Sequence, residues 1–145
     1  MSERTAEELW RDFLARIPAS ADAVHVTGPP SLVLWDTETL GSPRPALLAP
    51  DARVDPVVGL AWVAEHEPHT WALVQDGRYA VGPVASYLLA RATRGLLQLT
   101  TDPAWSTDRA AELGVPPEAL AELVAPGPVG RSDPRLVGRD VELSL

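Results

Sequence analysis

Apolar positions at the start of the chain fall on one stripe. Leu9, Trp10, Phe13, Leu14 and Ile17 recur at i, i+1, i+4, i+5 and i+8, which is helical spacing. Thr5 with Glu8 three residues on is a capping-box pattern, and Glu7 and Glu8 favour the positive end of the helix dipole. An amphipathic helix over 2–17, closed by Pro18, is therefore predicted. The pattern then shortens: Val24 and Val26 alternate about His25, predicting a strand over 23–27. SLVLW at 31–35 is a continuous apolar run suited to a strand covered on both faces, and Ala46 to Leu48 reads as a brief strand after a loop over 36–45. Asp55 followed by Pro56 reads as a helix N-cap and first helical position, opening a largely apolar helix that Pro68 stops. Gly59 inside that helix implies either a close packing contact or a weakened helix.

Residues 70–94 carry the strongest local signal. Trp71 and Leu73, then Tyr79 and Val81, alternate with other residues on either side of Asp76-Gly77, and Asp-Gly between alternating runs predicts a β-hairpin with a type I′ turn. Gly82-Pro83 breaks the pattern before a helix over Val84 to Arg94, and a strand is predicted at 96–100. Two short helices follow at 106–113 and 117–124, separated by Gly114-Val115-Pro116. Residues 125–138 have the Pro/Gly composition of a mobile surface arm, and Val141, Leu143 and Leu145 alternate in a terminal strand-like segment able to join the sheet edge or another protomer.

Together these elements predict an α+β fold: a mainly antiparallel sheet of four to six short strands, helices packed on one face, the N-terminal amphipathic helix and a Pro-rich C-terminal arm. The predicted partition is a single globular domain over 1–124 and the arm over 125–145.

Composition narrows the chemistry more than the fold. A chain of 145 residues buries about 70% of the surface its unfolded form exposes, enough for one core without staples. It has no cysteine, which excludes disulfides, thiolate catalysis and cysteine-based metal sites and fits a cytoplasmic location. No stretch approaches 18 apolar residues and no basic-then-apolar leader is present, so no membrane partner is expected. All twelve cationic side chains are Arg, a mark of GC-rich coding that fits a bacterial source. A net charge of −8 repels nucleic acid and favours a basic protein partner.

Candidate site residues are few. His66 and His69 lie three apart across Pro68, which leaves their rings free to diverge, so no metal site is predicted there. Asp36 and Glu38 follow SLVLW in a loop, where acid–base pairs often sit; turn chemistry equally accounts for Asp36 and Asp51, and capping for Asp55. Arg91 and Arg94 complement the C-terminal end of a helix or hold an anion. Trp71 borders the 66–71 loop as a further ligand-binding candidate, and Trp105, beside Pro103, is the Trp expected to be exposed. G-x-S-x-G, G-x-x-x-x-G-K and G-x-G-x-x-G are all missing, and no cofactor is predicted.

STDRAAELGVPPEALAELV resembles the helix-turn-helix family over about twenty residues, with Ala110, Gly114 and Val115 at the turn and Leu120 and Leu123 in the second helix. The resemblance implies a transcription-associated role. Glu118 and Glu122, where basic readers would face DNA, work against it. The leading expectation is a non-enzymatic accessory, assembly or immunity-type subunit that presents an acidic surface to a protein partner, with homo-oligomerisation through the arm also open. A small enzyme or ligand-binding domain with a pocket near the 66–71 loop is the alternative.

Overall fold

The computed structural model describes residues 2–28, 31–48, 56–102 and 107–145. Asp51, Asp55 and Trp105 lie outside the described residues. The chain opens with a short strand β1 (Ser2–Arg4) and helix α1 (Ala6–Arg16). Thr5 caps α1 as its spacing predicts: the hydroxyl accepts from the Glu8 N–H at 3.2 Å, and Ala6, Leu9, Trp10 and Phe13 form the buried face. Residues 2–4, expected in the helix, are extended because they pair antiparallel with residues 46–48.

Next come β2 (Ala23–His25), β3 (Ser31–Asp36) and β4 (Ala46–Leu48). All six residues of β3 are buried, which is why its sequence has no polar alternation. Helix α2 (Pro56–His66) crosses it so closely that a Cβ on Gly59 would lie 3.2 Å from Leu32 Cδ2, the packing contact its glycine implied.

The predicted hairpin is not formed. Residues 68–75 are a helix, α3 (Pro68–Gln75), and only its second half is a strand, β5 (Tyr79–Gly82). Pro68 stands at the first helical position, which its fixed φ suits, so it starts one helix as it ends another. Trp71 and Val74, three apart, share the buried face. Asp76 keeps right-handed helical angles and Gly77 takes φ +78°; the Gly77 and Arg78 N–H groups donate to the Val74 and Leu73 carbonyls, each at 3.0 Å. Asp-Gly here closes a helix by a Schellman motif, and the partner of β5 is β3.

Helix α4 (Val84–Ala92) is buried along nearly its whole length, with its first N–H donating to Ser31 Oγ at 2.9 Å. The remainder is β6 (Leu99–Thr100), α5 (Thr107–Glu112), a 3₁₀ turn (Pro117–Ala119), β7 (Glu122–Leu123), β8 (Pro128–Arg131), α6 (Pro134–Val137) and β9 (Glu142–Ser144). The segment resembling a helix-turn-helix lacks the second helix. Pro116 and Pro117 allow one 3₁₀ turn, Leu120 is extended and bridges Val81, and Glu122–Leu123 pairs in parallel with Leu99–Thr100.

The α+β class and the mainly antiparallel pairing hold. The main sheet runs β1-β4-β3-β5, antiparallel throughout, and a second runs β2-β9-β8, in which β2 and β9 are parallel and β8 and β9 antiparallel. Helices, expected on one face, cover both. Val33 and Trp35 of β3 share a core with α1 and α4, while Leu32 and Leu34 share the other with Leu60, Val63, Trp71, Val74 and Ala110 from α2, α3 and α5. The C-terminal residues are no free arm either. Val141 and Leu143 are fully buried, Leu145 is buried, and β9 is the middle strand of the second sheet. Both of its hydrogen-bonding edges are paired within the chain, so the terminal segment joins a sheet, the first of the two placements its alternation allowed.

Candidate functional site

The candidate side chains separate into four local arrangements, each tied to a neighbouring element. Asp36, at the end of β3, is buried; its Oδ1 accepts from the Glu38 and Thr39 N–H groups at 2.8 and 3.1 Å, and its Oδ2 from Arg78 Nε at 3.1 Å. Those two backbone donors, and then Arg78, hold its carboxyl below the usual carboxylate range. This is loop closure: the Leu40 N–H returns to the Asp36 carbonyl at 2.9 Å with Leu40 at φ +61°. Glu38 is exposed on the same turn.

At the end of α2, the His66 ring stacks on Trp62, centroids 4.5 Å apart and planes 14° apart, with its Nδ1 2.9 Å from the Trp62 carbonyl oxygen. Both Glu67 carboxylate oxygens accept from Arg44 Nε at 3.0 Å, and the Arg44 guanidinium lies 5.8 Å from the Trp62 ring. His69 is exposed in the first turn of α3, and Trp71 belongs to the core rather than to a pocket wall. Among the described residues no contact joins either histidine to Asp36 or Glu38, and no group of three or more His, Asp or Glu is placed to hold a metal.

Arg91 joins α4 to α1. Its Nη1 donates to Glu7 Oε1 at 2.8 Å and to the Tyr87 hydroxyl at 2.9 Å, its Nη2 to Glu7 Oε2 at 3.3 Å, and its guanidinium lies 4.8 Å from the Trp10 ring centroid. The Tyr87 hydroxyl in turn donates to the Leu40 carbonyl at 3.3 Å, so this chain of contacts reaches the Asp36 loop. Burial raises the Tyr87 hydroxyl pKa, and the Arg91 pairing lowers that of Glu7. Arg94 pairs with Asp133 at 3.0 Å.

Replacing Arg91 by Leu should cost about 1–3 kcal/mol at neutral pH, because Tyr87 loses a partner at a buried position. The Glu7 midpoint, followed by NMR titration, should rise toward the ordinary carboxylate value once the Arg91 partner is gone. Since the folded carboxyl is the more acidic, its pairing stabilises above that value and is lost as pH falls through the folded midpoint, so the gap between wild type and variant should narrow in acid by the Glu7 part while the Tyr87 part persists. An unmoved Glu7 midpoint would contradict the pairing.

Concavities lie elsewhere. One of about 360 Å³ between α1 and α4 is lined by Arg4, Asp12, Arg16, Gly28 and Val84. Another of about 240 Å³ is lined by His25, Thr27, Thr100, Thr101 and Asp102, and a third of about 310 Å³ by Phe13, Ile17, Pro18 and Val24 among others. None of the three is lined by Asp36, Glu38, His66, His69, Trp71, Arg91 or Arg94. Sequence reasoning missed His25, Thr100 and Asp102 as neighbours, since residues some 75 positions apart leave no local pattern when they meet.

No family model matches the chain, and no curated protein matches it. Solved structures do. A xylulose kinase from Rhodospirillum rubrum superposes with a TM-score of 0.69 at 16% identity, covering 98% of this chain and 40% of its own. A Plasmodium falciparum glycerol kinase solved with ADP gives 0.63 at 14% identity over 80% of this chain and 31% of its own. The fold is therefore one found within these kinases, and the chain spans less than half the length of either.

Proposed function

We propose that this chain is a non-catalytic protein-binding unit built on part of a kinase-like fold, acting in the cytoplasm and presenting acidic surface to a protein partner. The observation that carries the reading is that four of the candidate groups are engaged in structure, while Glu38 and His69 are exposed. Asp36 closes a loop, His66 is stacked on Trp62, and Arg91 and Arg94 are paired with Glu7 and Asp133. The net charge of −8 supports a basic partner. With purified protein, ATP-dependent phosphorylation of glycerol and of xylulose should be absent, and cross-linking in source cells should give a discrete heteromeric product. Turnover by a monomer that cross-links to nothing would overturn the reading.

A second reading, small-ligand binding, draws on the few polar side chains, His25, Thr27 and Asp102 among them, set in the otherwise apolar walls of the concavity of about 240 Å³, and on the substrates named for the two kinases. Calorimetry with glycerol and xylulose tests it: heat that disappears in Thr27→Val favours it, and flat isotherms dispose of it.

A further inference from the structure

Among the described residues, the outer strands of the two larger sheets are guarded against pairing with another chain, except for β2. β8 carries Pro128, a bulge between Pro128 and Gly130, and Arg131; β1 carries Glu3 and Arg4; β5 is bridged by Leu120. These are the usual devices against edge pairing. β2 has none: its residues are Ala23, Val24 and His25, with no proline, formal charge or bulge.

Register shows which backbone groups are free. The Glu142 N–H donates to the Asp22 carbonyl and the Val26 N–H to the Ser144 carbonyl, so residues 22, 24 and 26 face β9. Ala23 and His25 therefore point their N–H and C=O groups away from β9, where none meets a partner among the described residues. A parallel pair is also ordinarily an interior feature, covered and continued on both sides. Along this open side runs the concavity of about 310 Å³, in which Phe13, Arg16, Ile17 and Pro18 line one wall and Ala23, Val24 and His25 the other.

From these observations we infer that the outer edge of β2 receives an extended segment of a partner polypeptide, apolar at alternate positions and basic at its flanks. The inference rests on the protein-binding reading and gives it a surface. Backbone groups of Ala23 and His25 supply the pairing, and the Phe13–Ile17–Pro18 hollow takes an apolar side chain. Exposed Asp22 and Glu142, with a net charge of −8, favour Lys or Arg beside the strand and disfavour a second copy of this chain, while Arg16 in the wall of the hollow keeps basic side chains out of the hollow itself.

The test uses the full chain and a synthetic peptide of alternating Val and Thr between terminal Lys residues. Amide exchange at Ala23 and His25 should slow by about tenfold or more at saturating peptide, while Val24 and Val26, already bonded to β9, change little. His25→Pro removes one outward N–H and, apart from the His25 Nδ1 contact to Ser144 Oγ at 3.3 Å, leaves the backbone bonds to β9 intact, so it should abolish the protection at Ala23. Should that variant fail to fold, the wild-type chain with a peptide N-methylated at alternate residues gives the same readout, and loss of protection is again expected. Equal protection by both peptides, no change at Ala23 and His25, or dimerisation of the chain through β2 would overturn the inference. A cross-linked partner mapped to another surface would overturn it too, while leaving the protein-binding reading intact.

Discussion

Leu143→Ala should lower the unfolding free energy by about 2–5 kcal/mol, as much as a substitution at the centre of a domain, although the residue stands near the last position of the sequence. Leu143 is fully buried, on the middle strand of the second sheet, in the core shared with Phe13, Val26 and Leu89. Truncation removes its apolar contacts and leaves a cavity that strands held on both sides close poorly. Against a total stability of roughly 5–15 kcal/mol for a domain, this is a large fraction. Thermal melts should move by roughly 2–4 °C per kcal/mol. Leu123, half exposed on β7, is the control: Leu123→Ala should stay within about 0.5 kcal/mol. Equal melting temperatures for the two variants would mean that residues 139–145 are an appendage.

Trp35→Ala should cost about 3–5 kcal/mol, read as a fall in urea midpoint at unchanged slope. Trp35 is 1% exposed on β3, with its ring centroid 5.7 Å from that of Tyr87 at an interplanar angle of 57°. Its outer ring atom Cη2 lies 3.1 Å from where a Cβ on Gly82 would stand, so the strand beside it has been cleared of a side chain to admit the indole. Gly82→Ala is therefore expected to destabilise as well, by about 1–3 kcal/mol through overpacking. If Trp35→Ala were near neutral, α4 would not rest on this face of β3.

What the sequence made legible was whatever depended on neighbours in the chain. Thr5, Glu8 and the Leu9–Phe13 stripe specify α1 locally, and the unbroken SLVLW run specifies a strand covered on both sides. Residues 68–77 misled because their signals are double-valued. Pro68 ends one helix and starts another; Trp71 fits a period of two with Leu73 and a helical one with Val74; Asp-Gly serves a hairpin and a helix C-cap alike. Residues 128–145 misled through composition. Their prolines and glycines resemble a linker, while the deciding contacts, from Val141 and Leu143 to β2 and α1, span more than a hundred positions. The same distance hid the side-chain pairing: Arg91 with Glu7 and Asp36 with Arg78 are separated by 84 and 42 residues, so no spacing marked them as partners.

The pairing of β2 with β9 also has a cost in time. Ala23 meets Glu142, 119 residues later in the chain, and at a synthesis rate of about 5–20 residues per second the first strand waits roughly 6–24 s for its partner. Throughout that interval β2 is open along both edges, with the apolar face of α1 beside it. Contacts this far apart in the chain also slow folding, because the long loop between them must close before the pairing rewards it.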